Sequence, residues 1–209
     1  MKNDRVREPG LDDPRAVDIL TTEHWSLLST RSLGYQEMLG RATIFVAILS
    51  GIVIALALLA QATRFGRETL LIALVLIAVA LFIGLTTFVR GVAINFEDAR
   101  WVEAMNLLRK GYVEIVPELE PFLISQHDPL AHGSRQRFEN LMQSLTTTSS
   151  VVAALNSVLA GALATDICVL AGGSVLLDGV VGVVMSLVSA VVHVRYAARF
   201  RERRTPRPR

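Results

Sequence analysis

The chain has 209 residues, of which 52% are hydrophobic and only 19% charged, and its mean hydropathy is +0.45. An ordinary soluble domain is about a quarter charged, so this composition excludes one and sends the apolar surplus into lipid. The net charge is small, +2, but it is segregated: residues 1–41, 90–139 and 195–209 hold nearly all the charges, while 42–63, 69–89 and 140–194 hold almost none.

Residues 1–18 combine Pro9, Gly10 and Pro14 with charges of both signs and are expected to be a mobile tail. The first residues are too charged for a secretory leader, so no cleavage is expected. From Thr22 an amphipathic helix is predicted, its stripe formed by Trp25, Leu28, Ser32, Tyr35, Leu39 and Ala42 at alternating spacings of three and four. It runs into a charge-free segment, Ala42 to Thr63, which at about 1.5 Å per residue is long enough for a hydrocarbon core of about 30 Å. After a short turn, Thr69 to Val89 forms a second span between Glu68 and Arg90. A matching stripe of Trp101, Met105, Leu108, Tyr112 and Ile115 follows it until Pro117 stops the helix. The two stripes are expected to meet each other outside the lipid.

Residues 117–134 hold Pro117, Pro121, Pro129 and Gly133 and are read as a connector. From Arg135 a helix resumes into Asn140 to Val194, which is long enough for two crossings with the turn at Ala171-Gly172-Gly173-Ser174. The basic tail, residues 201–209, ends the chain. The resulting division is 1–18 tail, 19–116 first membrane hairpin with its extensions, 117–134 connector, 135–200 second hairpin and 201–209 tail.

The basic residues orient these spans. Nineteen lysines and arginines lie in the two terminal segments and the central one, and two, Arg64 and Arg67, lie in the first turn. The positive-inside rule then puts both termini and the centre in the cytoplasm. The predicted fold is an all-α membrane protein of four transmembrane helices, arranged as two parallel-oriented helical hairpins, the first with long cytoplasmic extensions. Two hairpins entering from the same side exclude an inverted repeat. The arginine-rich composition suggests a bacterial source and hence the bacterial inner membrane.

Small residues recur four apart in every span, among them Ala47, Gly51 and Ala55, then Gly84, Gly161 and Gly182. Such spacing allows close helix contact, expected first within the chain's own bundle, with a homo-oligomer as the other use. Asp166 and Asp178 flank the second turn. An ionisable group near the membrane is a candidate site, here an outer mouth if chains assemble, but the simpler expectation is hydration at headgroup level. Asn156, mid-span, is expected to bond a neighbouring helix or line a polar path. Arg195, Arg199, Arg201, Arg203 and Arg204 suit anionic lipid at the inner leaflet. No recognition helix or aromatic platform points to nucleic acid. His127, Asp128 and His132 surround a proline without a metal-binding framework, the single cysteine, Cys168, lies in a span, and no catalytic set is visible. No metal or other cofactor is expected.

The stretch from LTTEHWSLLSTRSLGYQEMLGRATIF through GLTTFVR to NFEDARWVEAMNLLRKGYVE resembles a group of small bacterial membrane proteins without an assigned activity. Its two-span hairpin with long cytoplasmic helices is also similar in architecture to SLATT-type membrane effectors, a resemblance that implies a pore-forming role; the second hairpin and the lack of a sensor domain set this chain apart. The expected function is a non-enzymatic, self-associating scaffold, sensor or effector with an unidentified cytoplasmic protein partner. An oligomeric channel is the alternative, and a membrane enzyme using Glu97, Asp98 or His127 is the remaining one.

Overall fold

The computed structural model describes residues 13–64, 66–123 and 147–204, with side chains to Phe200. The described residues are all-helical: α1, Ala16–Thr63; α2, Arg67–Ile115; a short 3-10 helix, Pro117–Phe122; α3, Thr148–Leu170; and α4, Val175–Arg204. Four of these, α1 to α4, are long and apolar enough to cross a membrane. The chain is therefore a multi-pass membrane protein in its architecture. The tail before Asp13, His127, Asp128, His132, the helix expected from Arg135 and the tail after Arg204 lie outside the described residues.

Each helix ends for a local reason. Arg64 adopts the left-handed conformation (φ 53°) and its N–H returns to the Ala60 carbonyl, closing α1, while Gly66 is extended and opens α2. Pro117 stops α2 and occupies the first turn of the 3-10 helix, where its missing N–H costs nothing. Thr147 caps α3 by accepting from the Ser150 N–H. The turn into α4 needs Gly172 at φ +84°, and Gly173 has no room for a Cβ, which would sit 2.0 Å from Asp178 Oδ1.

The helices stand in a staggered row in chain order, each packed mainly on the next, with α1 also reaching α3 and α2 reaching α4. Contacts of α1 with α2, α2 with α3 and α3 with α4 each run in opposite chain directions: Glu37 meets Arg90, Asn95 meets Ser149, and Gly161 meets Ser186. Among the described residues α1 does not touch α4, so the four spans do not close into the bundle their small-residue spacing suggested. The core lies where the first three helices meet, around Phe45, Ala80, Phe88, Val152 and Leu159. Only 11% of the most apolar stretch of α1, and of α4, is buried within the protein. The remaining apolar surface is left for lipid or another chain.

At 48 and 49 residues, α1 and α2 reach about 72–74 Å, more than twice the roughly 30 Å of a hydrocarbon core. Beyond their apolar stretches they continue as a pair, but only one of the two predicted stripes lies between them. The α2 stripe turns inward as predicted, with Met105 buried and Trp101, Leu108, Tyr112 and Ile115 half-buried. The α1 stripe does not. Trp25, Leu28, Tyr35 and Leu39 are exposed, and α2 is faced instead by Leu27, Arg31, Gly34 and Met38, with Ala42 common to both faces. The cause is helical phase. Phe45 and Met38 are seated against α2 in the core, and an unbroken helix carries that phase to its other end, in steps of seven from Phe45 through Met38 and Arg31 to His24.

Candidate functional site

Two polar assemblies interrupt this apolar framework. The first lines an open cleft of about 210 Å³ between α1 and α2, beyond their apolar stretches. Arg31 binds the Asp98 carboxylate through both Nε and Nη2, and the Tyr35 hydroxyl donates to Asp98 Oδ2 at 3.1 Å. About two turns nearer the spans, Arg90 grips Glu37 through Nε and Nη2 at 2.9 and 2.7 Å, Arg41 bonds the same carboxylate at 2.9 Å, and Glu97 faces Arg90 at 3.3 Å. Hydrogen bonds from Arg90 and then Arg41 hold the Glu37 carboxyl at about 2, well below its ordinary 4.5. The same bond to Glu37 raises Arg90, and the bond to Asp98 raises Arg31. Glu37 therefore stays ionised at every ordinary pH, and the arginines of the cleft are paired with its carboxylates.

The second assembly is buried where α2, α3 and α4 meet. Asn156 is fully enclosed, and its Nδ2 lies 3.5 Å from His193 Nε2. His193 Nδ1 lies 2.7 Å from the Ser189 carbonyl oxygen, and the ring meets Phe88 edge-on at 4.6 Å between centroids. One end of this cluster rests on α2: a Cβ on Gly84 would fall 1.8 Å from Asn156 Oδ1 and 2.9 Å from Phe45. Asn95 donates to Ser149 at 3.1 Å and ties α2 to α3 by a hydrogen bond.

No known family, no curated protein and no solved structure matches this chain. Its function has to be read from the geometry.

The remaining predicted residues fall as follows. Asp166 and Asp178 are 7% and 4% exposed, each with one carboxylate oxygen lacking a partner, so they are enclosed by protein where hydration was expected. Asp178 lies against the turn itself, its Oδ1 2.0 Å from where a Gly173 Cβ would stand. Gly161 and Gly182 pass each other closely: a Cβ on Gly161 would lie 2.0 Å from Ser186 Oγ and 2.5 Å from the Gly182 carbonyl oxygen. Gly51 differs, because among the described residues nothing lies within 4 Å of its Cβ position, and Ala47 and Ala55 on the same face are exposed. Among the described residues no packing partner, the first expectation for that stripe, stands against Gly51. Arg195 and Arg199 are exposed at the end of α4, while the side chains of Arg201, Arg203 and Arg204 lie outside the described residues. Among the described residues no group of three metal-ligating side chains converges.

Two features of these assemblies were not read from the sequence. The Glu37–Arg90 pair joins residues at comparable distances on either side of the first turn, a signal available from the charges once α1 and α2 are taken as antiparallel. The role of His193 was not available that way, since its neighbours come from three helices.

Proposed function

We propose that this chain is a non-enzymatic, self-associating protein of a bacterial inner membrane that acts as a scaffold, sensor or effector through the paired extensions of α1 and α2. In this reading both termini and the extensions are cytoplasmic, and the spans form two hairpins entering from the same side. The bias of lysine and arginine supports that orientation, nineteen to two. The architectural likeness to SLATT-type effectors implies a pore-forming role and so supports the effector form of this reading and the channel alternative.

The observation that carries the proposal is the outer face of α1. Trp25, Leu28 and Leu39 are exposed on the extension, and among the described residues nothing lies within 4 Å of a Cβ position at Gly40 or Gly51. A glycine inside a helix costs about 1 kcal/mol relative to alanine, and no contact among the described residues offsets it here. The occupant proposed is a second copy in the same membrane, with the partner protein bound by the extension. Native mass spectrometry in nanodiscs tests the assembly: the expected result is a dimer or larger oligomer that Gly51→Ile dissociates. A monomer at every concentration refutes self-association.

A channel is the second reading, favoured by the unpartnered oxygens of Asp166 and Asp178. Its test is ion flux in proteoliposomes: conduction altered by Asp166→Asn or Asp178→Asn supports it, and absence of flux across voltage and pH removes it. Arg195 and Arg199, with the arginines after them, are proposed to hold the end of α4 on anionic lipid, at about 1 kcal/mol per basic residue near the surface.

A further inference from the structure

We propose that His193 and Asn156 form a proton-operated latch between α4 and the α2–α3 pair. The ring nitrogens define its starting state. Nδ1 lies 2.7 Å from the Ser189 backbone oxygen, which can only accept, so Nδ1 carries a hydrogen. In the neutral ring Nε2 is then a lone pair, and the atom facing it at 3.5 Å is the Asn156 amide nitrogen, a donor. This arrangement leaves Asn156 Oδ1 without a hydrogen-bond partner in a residue that is fully buried.

One proton added to Nε2 reverses the roles at that contact alone, while Nδ1–H continues to donate to the Ser189 carbonyl oxygen. Nε2–H then faces N–H, and only a half-turn of the Asn156 amide supplies an acceptor, the same Oδ1 that lacked a partner. Ring charge and amide orientation are thus tied together, because each state of the ring is compatible with one orientation of the amide. The step takes a single proton from solvent and forms an imidazolium; no bond between heavy atoms changes.

The exchange reaches α2 through the other arm of the amide. That arm occupies the notch left by the absent side chain of Gly84, beside Phe45, so rotation replaces an oxygen there with an NH2 group. The ring itself rests against Phe88 of α2, which also meets Tyr196 at 5.9 Å. Among the described residues no charged side chain bonds His193 from α2 or α3: those helices present Phe88, Gly84 and Asn156. On α4 the nearby polar groups are Ser189, Tyr196 and the exposed Arg195, and the last two lie at the end through which a proton would arrive. The latch rests on the packing of three helices and not on the proposed function, so either can fail alone.

The test is nuclear magnetic resonance of the full chain in nanodiscs, following the ring nitrogens of His193 and the side-chain amide of Asn156 as pH is lowered. His193→Gln assigns the ring signals by their loss. The expected result is a starting state with Nδ1–H and unprotonated Nε2, and an amide change that shares its midpoint with protonation of Nε2. Protonation with the Asn156 amide unmoved would overturn the proposal, and so would a ring that stays neutral until the protein unfolds, or a neutral ring protonated at Nε2. Should His193→Gln fail to fold, replacement of the other three histidines, His24, His127 and His132, by glutamine leaves only the His193 ring signals and decides between these outcomes.

Discussion

At the scale of single residues, glycines of one sequence pattern separate into two structural kinds. Gly84 is a notch: any side chain there drives into Asn156 and Phe45, so Gly84→Ala is expected to loosen the joint of α2 and α3 by about 1–3 kcal/mol, as overpacking does. Gly51 is open, so Gly51→Ala is expected to leave the packing of the monomer unchanged. Reversible unfolding of both variants in mild detergent checks the contrast, and equal losses would contradict it. The spacing of small residues could not tell these positions apart, because spacing records which face a residue shares and not whether another helix covers it.

At the scale of elements, the pair α1–α2 is tied by ion pairs that the charge pattern partly revealed. Glu37 is held at about 2 against an ordinary 4.5, so its contribution is complete above pH 4.5 and lost as pH falls from there through about 2. Because the side chains of Glu37 and Arg90 are 34% and 37% exposed, solvent screening limits the pair to about 0.2–1 kcal/mol. The difference in thermal stability between the protein and Glu37→Gln is therefore expected to stay constant from about pH 8 to 5 and to shrink in more acidic buffer. A difference that grew on acidification would have the wrong sign. The second turn makes its own demand: Gly172 at φ +84° is expected to cost about 1–2 kcal/mol when replaced by alanine, measured in the same unfolding assay.

At the scale of the whole molecule, the row of helices leaves α1 and α4 at opposite edges, each with most of its apolar surface uncovered by protein. A reporter fused at Gly66 is expected to be external and one at Arg209 cytoplasmic; the reverse at either site would overturn the proposed orientation.

The sequence by itself determined that four helices are long and apolar enough to span a membrane, because lipid demands uninterrupted apolar length and that length is written in consecutive residues. It also located the turn at Ala171–Ser174, since glycine supplies the positive φ that a reversal there requires. Tertiary structure alone decided which stripe of α1 faces α2, because the phase is set by Phe45 and Met38 in the core and transmitted along a continuous helix. It alone enclosed Asp166 and Asp178, and it alone joined His193 to Asn156 and Phe88. Those contacts depend on helices distant in sequence, and no local pattern in one span records what another span brings to it.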